Sequence, residues 1–327
     1  MFGRNKEEVG SFGQIGSQEK EWRLIERVVM ANTEELKKQR RWGIFFKILT
    51  FTYLFVIFSY FWLSSSGQHE IGATGGHTAV VDVEGVIAAG EMAGADSVIT
   101  SLRSALEHPD TKAVVLRINS PGGSPVQSSY VYNEINRLRD LYKEIPVYAV
   151  IVDTGASGAY YIASAAQDIY ANGASVVGSI GVTAAGFGFQ GLLEKVGVER
   201  REFTSGEHKA FLDPFSEVDP EEQRLFESLL NDVHQQFIND VKAGRGDRLK
   251  DDPKLFSGLF WTGNQALELG LIDGLKSTSE LARELGYPKT VDFSYRLSPF
   301  EQFAKNLGVS IAETAAKIGT SHSFKLE

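Results

Sequence analysis

From Thr78 onward, short apolar runs alternate with longer stretches whose apolar positions recur three and four residues apart. The runs "TAVVDV", "KAVVLRI" (112 to 118) and "PVYAVIV" are rich in β-branched residues and predict buried strands, with shorter strands at "DIYA" and "VVGSIGV". Between them, helices are predicted near 95–107 and 124–142, another begins at Ser157, and a longer one covers 219–242. For the last, Asp219 is the expected N-cap, Pro220 opens the first turn, and Glu221 and Glu222 complement the helix dipole. Its apolar stripe, Leu225, Phe226, Leu229, Val233, Phe237 and Val241, reads as a core or subunit face. Strands separated by helices imply right-handed crossovers and an α/β fold with a mainly parallel sheet.

Outside that region the pattern changes. Residues 42–63, "WGIFFKILTFTYLFVIFSYFWL", carry a single charge, Lys47, and are long enough to cross a bilayer as a helix, with Trp42, Tyr60 and Trp62 as interfacial anchors. The basic run "KKQRR" precedes the span and nothing comparable follows it, so residues 1–41 are expected in the cytoplasm and everything beyond residue 63 outside. A short cytoplasmic helix is expected through Trp22, Ile25, Val29 and Leu36, and a Gly/Ser-rich linker over 64–77. The expected map is completed by a folded domain over 78–290 and a tail over 291–327, where Phe300, Phe303, Leu307, Ile311, Ala315 and Ile318 make an amphipathic stripe.

Charge and composition narrow the function. The net charge is −9, and the part beyond the span holds 23 basic against 35 acidic residues, which argues against nucleic acid as a partner. The chain has no cysteine, which removes thiol catalysis and disulfides, and its six histidines show no H-x-x-x-H spacing, so neither a metal nor another cofactor is expected.

Candidate chemistry lies in the loops after two strands, where ligands meet open α/β sheets. "NSPGGS" (119 to 124) contains Gly122 and Gly123, which suit either a plain turn or an oxyanion-binding loop. In "DTGASGAYYIASAAQ" Ser157 stands where a strand gives way to a helix, so its hydroxyl can either cap that helix or act as a nucleophile. The stretch is not the G-x-S-x-G elbow, because Ala159 replaces the second glycine. For a base, His208 and Lys209 in "TSGEHKAF" are both candidates, a lysine acting only when its site favours the neutral amine. His69 and His77 are expected in the linker, and the aromatic stretch "GFGFQGLL" (186 to 193) either lines substrate pockets or packs in the core.

The stretches "INSPGGS", "ASGAYYIASAA", "GSIGV", "LLEKVGV", "SGEHKA" and "FWTGNQALELGLIDGL", in this order over roughly 78 to 280, make the chain resemble the signal peptide peptidase A (SppA) family in its short, single-repeat, membrane-anchored form. The resemblance implies a Clp protease/crotonase-like fold and a serine endopeptidase with a Ser-Lys dyad. It puts the nucleophile on Ser157, the general base on Lys209, the serine that orients the lysine amine on Ser179, and the oxyanion hole on Gly122 and Gly123. The implied substrates are cleaved signal peptides or other membrane-derived apolar peptides, met on the periplasmic or extracellular side of the bacterial inner (cell) membrane. Double-length relatives draw serine and lysine from different halves, so a single-repeat chain is expected to borrow its lysine from a neighbour in a homo-oligomeric ring, an octamer being one size such a ring could take. The same fold also serves crotonase-like acyl-CoA enzymes and inactive peptide-binding scaffolds, which stand as alternatives.

Overall fold

The computed structural model describes Arg27, Met30, 37–60 and 75–296. The expected helix around Trp22 to Leu36, most of the linker and the amphipathic tail lie outside these residues, apart from Arg27 and Met30, which are helical. The chain divides into two units, of which Ile71–Arg296 holds the catalytic-domain motifs. In the other unit helix α1, Lys37–Tyr60, is long and apolar enough to cross a membrane, begins before the expected span, and has none of its apolar window buried. At about 1.5 Å per residue its length exceeds the roughly 30 Å of a hydrocarbon core.

In the larger unit the three β-branched runs form β1 (His77–Glu84), β2 (Thr111–Ser120) and β3 (Val147–Ala156). Each is followed by a helix: α2 (Ala95–Glu107), α3 (Pro125–Leu141) and α4 (Gly158–Ser164). The strands pair in parallel, β1 with β2 and β2 with β3, which the long helix-bearing crossovers between them permit. Later elements are shorter: β4 (Ile169–Ala171), β5 (Val176–Gly178), α5 (Gln190–Val196), the long α6 (Pro220–Arg245), β6 (Phe260–Thr262), α7 (Gly263–Glu268), β7 (Gly274–Leu275), α8 (Thr278–Glu284) and β8 (Thr290–Asp292). The sheet order is β6-β5-β3-β2-β1-β8, with β4 also on β3 and β7 beyond β4. Among the described residues only β5 and β6 run antiparallel.

β3 forks the sheet. Its first half, Ala149 to Ile151, pairs with β4, and its last residues, Thr154 to Ala156, pair with β5. The fork sets Ala156 beside Gly178, so Ser157 and Ser179 leave two adjacent strand ends side by side.

The main core lies between one sheet face and the helices. Val81, Leu116 and Ile151 pack with Val98 and Leu102 of α2, Val131 and Ile135 of α3, all of α4, and Phe237 and Val241 near the end of α6. A smaller cluster on the opposite face joins Val115, Tyr148 and Val150 to Leu281 of α8. The expected cap of α6 is present, Asp219 accepting the Glu221 N–H at 2.6 Å, but its apolar stripe divides. Phe237 and Val241 are buried, while Leu225 and Leu229 are about half exposed.

Two expectations are corrected at the domain's margins. His77 belongs to β1 and is fully buried, its ring stacked on Phe293 and edge-on to His108, so it is no linker residue. The sheet also continues past residue 290, since β8 pairs with β1 and Phe293 donates its N–H to the Val80 carbonyl.

Candidate active site

Ser157 follows directly on β3, and its backbone lies at φ 53°, ψ −125°, a region that costs a non-glycine residue about 1–3 kcal/mol and persists only where neighbours enforce it. They do so on both sides. The Ser157 N–H donates to the Gly178 carbonyl at 2.8 Å, and its own carbonyl accepts the Tyr161 N–H at 3.0 Å. Its hydroxyl makes no capping bond to α4, so of the two roles open to it the cap is not used.

The helix that starts there is anchored from behind. Tyr160 is fully buried and donates its hydroxyl to the Leu271 carbonyl at 2.7 Å. Tyr161 stacks on Phe237 with ring centroids 4.6 Å apart and donates to the Asp240 carboxylate, so burial, with Asp240 beside it, pushes its phenol up to about 12. It is a neutral donor at physiological pH and no base. Gly244 of α6 comes so close to α4 that a Cβ there would stand 2.0 Å from the Ser164 carbonyl oxygen. Nearby, the buried Arg245 guanidinium pairs with Asp273 and donates to the Gly270 carbonyl, tying the end of α6 to β7's approach.

The two glycines of the β2–α3 loop play different parts. Gly122 has φ 98°, and a Cβ there would meet the Ala156 carbonyl oxygen at 2.7 Å and Ser157 Cβ at 2.8 Å, so only glycine lets the loop pass the serine. Its N–H donates to Ser120 Oγ at 3.1 Å. The Gly123 N–H has no acceptor among the described residues, and neither has that of Gly158, the first residue of α4, which lies against it. Gly158 is a donor that the motif reading missed. The signal was available, because the first N–H groups of any helix lack intrahelical partners.

Ser157, Gly123, Gly158, Ser179, Tyr161 and His234 all line one cavity of about 750 Å³, a size suited to a peptide segment. Ser179 shares the unusual backbone of Ser157, with φ 53°, and its Oγ donates to the Gly258 carbonyl at 3.4 Å. Leu212 is the remaining described non-glycine residue with positive φ, so two of three such residues face this one cavity.

Lys209 does not join them. It is exposed in the turn before α6, its N–H bonds to the Gly206 carbonyl at 3.2 Å, and its side chain makes no hydrogen bond or ion pair among the described residues. His208 sits 3.8 Å from Glu222 and is also outside the cavity. The "GFGFQGLL" stretch neither lines this cavity nor joins the core, with Phe187 81% exposed. No group of three potential metal ligands occurs among the described residues.

Residues 139–292 match the model of peptidase family S49. The chain is 38% identical over 204 residues to a Synechocystis sp. (strain ATCC 27184 / PCC 6803 / Kazusa) protein named as a protease, covering 62% of this chain and 71% of that one. It is 32% identical over 212 residues to an Enterococcus faecium protein named as a signal peptide peptidase SppA, covering 62% and 61%. A 46% identity over 185 residues links it to a Brucella abortus (strain 2308) protein named as the Na(+)/H(+) antiporter NhaA, but this match spans 56% of the chain and only 25% of that protein. The chain belongs to peptidase family S49, the SppA proteases, with their Clp protease/crotonase-like fold.

Proposed function

We propose that the chain is a serine endopeptidase in which Ser157 attacks the peptide carbonyl and Lys209, supplied by a neighbouring copy, is the general base. The observation that carries this reading is the serine itself: a hydroxyl withheld from helix capping, on an enforced positive-φ backbone, beside Gly123 and Gly158 N–H groups that have no acceptor among the described residues. The neutral lysine amine takes the hydroxyl proton as the serine oxygen bonds to the carbonyl carbon. The tetrahedral oxyanion is held by the Gly123 and Gly158 N–H groups, with Gly122 shaping the loop. The lysine proton then passes to the leaving amine, and water releases the acyl group by the same steps reversed. Ser179 orients the incoming lysine amine.

Borrowing is supported by the placement of Lys209 away from Ser157 and by the character of the segment that bears it. Phe203 is 92% exposed, and Leu192, Val196, Val198, Leu225 and Leu229 are each half exposed or more, a surface that a second copy in a ring would cover. Helix α1 serves as the membrane anchor, residues 64–76 as the tether, and the domain faces the periplasm or cell exterior, where apolar peptides released from the membrane, signal peptides among them, are the substrates.

A serine-directed fluorophosphonate, followed by mass mapping of the adduct on the full-length chain in detergent, tests the nucleophile. Modification of Ser157 alone is expected. An adduct elsewhere, or none on a chain that hydrolyses peptides, would remove Ser157 from the mechanism, and a chain with neither adduct nor hydrolysis would favour an acyl-CoA enzyme or a scaffold of the same fold.

A further inference from the structure

The strained backbone at Ser179 needs ties to hold it, and three of those present are main chain to main chain. Ser157 donates to the Gly178 carbonyl at 2.8 Å, Ser179 donates to the Leu259 carbonyl at 2.7 Å, and Gly258 donates to the Ile180 carbonyl at 3.1 Å. Ser179 adds its own Oγ bond to the Gly258 carbonyl at 3.4 Å, and a further tie comes from across the cavity. His234, in the middle of α6, has its Nε2 3.2 Å from that same Ile180 carbonyl oxygen. A carbonyl only accepts, so Nε2 carries the proton and donates it. Among the described residues this is the one bond to residues 178–181 that comes from a side chain of another element. Ile180 itself is fully buried, and without the imidazole its carbonyl keeps only the bond from the Gly258 N–H among the described residues.

We propose that His234 is a positioning residue of the active site, fixing the Ser179 turn beside Ser157 by its hydrogen bond to the Ile180 carbonyl. The inference rests on the serine-protease reading above, in which Ser179 guides the base. Without the bond the turn keeps its main-chain ties but relaxes partway toward ordinary backbone angles, which shifts the Ser179 hydroxyl away from the lysine amine. Substrate contacts made by the rest of the cavity stay in place. The loss therefore falls on the chemical step and not on binding.

Kinetics on a small chromogenic peptide substrate separate the two. His234→Phe keeps the ring's bulk without a donor, and His234→Gln carries an amide N–H at about the reach of Nε2. With Phe, kcat is expected to drop at least tenfold while KM stays within about threefold, and Gln is expected to restore kcat to within about threefold of wild type. If Phe unfolds the chain, His234→Asn replaces it, since its amide falls one bond short of the carbonyl. A kcat within twofold of wild type for the donor-less variant, or a Gln variant as impaired as Phe, overturns the proposal. A Ser157→Ala chain run in parallel tells the two readings apart: if it remains active, the serine-protease reading fails and this inference with it, whereas if it is dead and the Phe variant is normal, only the role of His234 is lost.

Discussion

Around Ser157 the chain is closed on itself. All seven residues of α4 are buried, Gly244 and Phe237 of α6 press on them, and the ends of β3 and β5 and a glycine loop fix the backbone on either side. Around Lys209 it is open. No residue of α5 is buried, the segment is held by local contacts such as Phe189 on Phe215 and the Arg200–Asp213 ion pair, and its apolar side chains face solvent. One region is over-determined by its own chain and the other is short of partners. The nucleophile proposed for the first and the base proposed for the second fit a site whose serine is preorganised and whose base arrives with a neighbour.

The largest effect that would break this contrast is chemical. Ser157→Ala is expected to cut turnover about a millionfold, and Lys209→Ala nearly as much, whereas His208→Ala keeps most activity. Peptide hydrolysis by the three purified variants decides this, and a dispensable Lys209 with an essential His208 would reassign the base. A second test strikes the closed region. Gly244→Ala drives a methyl into the Ser164 carbonyl, which should cost about 1–3 kcal/mol in denaturant unfolding and lower kcat by displacing α4. Unchanged stability would mean that α6 does not brace the serine's helix.

A smaller effect belongs to the buried edge of the sheet. His77 is held below its ordinary pKa by burial first and by His108 next, Asp110 opposing and Lys289 and Lys112 reinforcing. The unfolded chain therefore takes up a proton near pH 6.5 that the folded chain refuses. Stability is full above that pH and falls as the pH drops toward the lowered folded value, by at most about 1.4 kcal/mol per pH unit for one group. Chemical denaturation between pH 7.5 and 5 should show the decline, and His77→Phe should flatten it; an equal slope in the variant would assign the effect elsewhere. The smallest change is expected on the open face. Leu225→Ser with Leu229→Ser should alter the unfolding free energy of the dissociated chain by no more than about 0.5 kcal/mol each, yet weaken assembly in sedimentation and lower activity on dilution. Normal assembly would show that this part of α6 is not an interface.

Much of the fold was legible because its central elements are long. The β-branched runs of β1 to β3 and the helical spacing of α2, α3 and α6 carry enough residues for a period to show. β6, β7 and β8 are two or three residues each, and Gly274–Leu275 has no pattern to read, so the antiparallel edge and the fork at β3 come from tertiary pairing alone. His77 was misread for a related reason: a Gly/Ser-rich approach hid that the histidine begins a strand. At the site, the position of Ser157 could be read from the strand-to-helix switch, but its φ of 53° could not, since nothing local marks a serine for that region. Nor did the sequence separate Gly122, whose N–H is spent on Ser120, from Gly123, whose N–H is free among the described residues.

The contrast between a finished serine and an unfinished lysine is tested most directly by mixing. Ser157→Ala and Lys209→Ala chains carrying different tags, co-expressed and isolated as hetero-oligomers by both tags in turn, should regain peptide hydrolysis. At random mixing about a quarter of the junctions in a ring would join an intact serine to a neighbour's intact lysine, so recovery to about that fraction of wild type is expected. Hetero-oligomers verified by both tags that remain as inactive as either parent would contradict the account and put serine and lysine in the same chain.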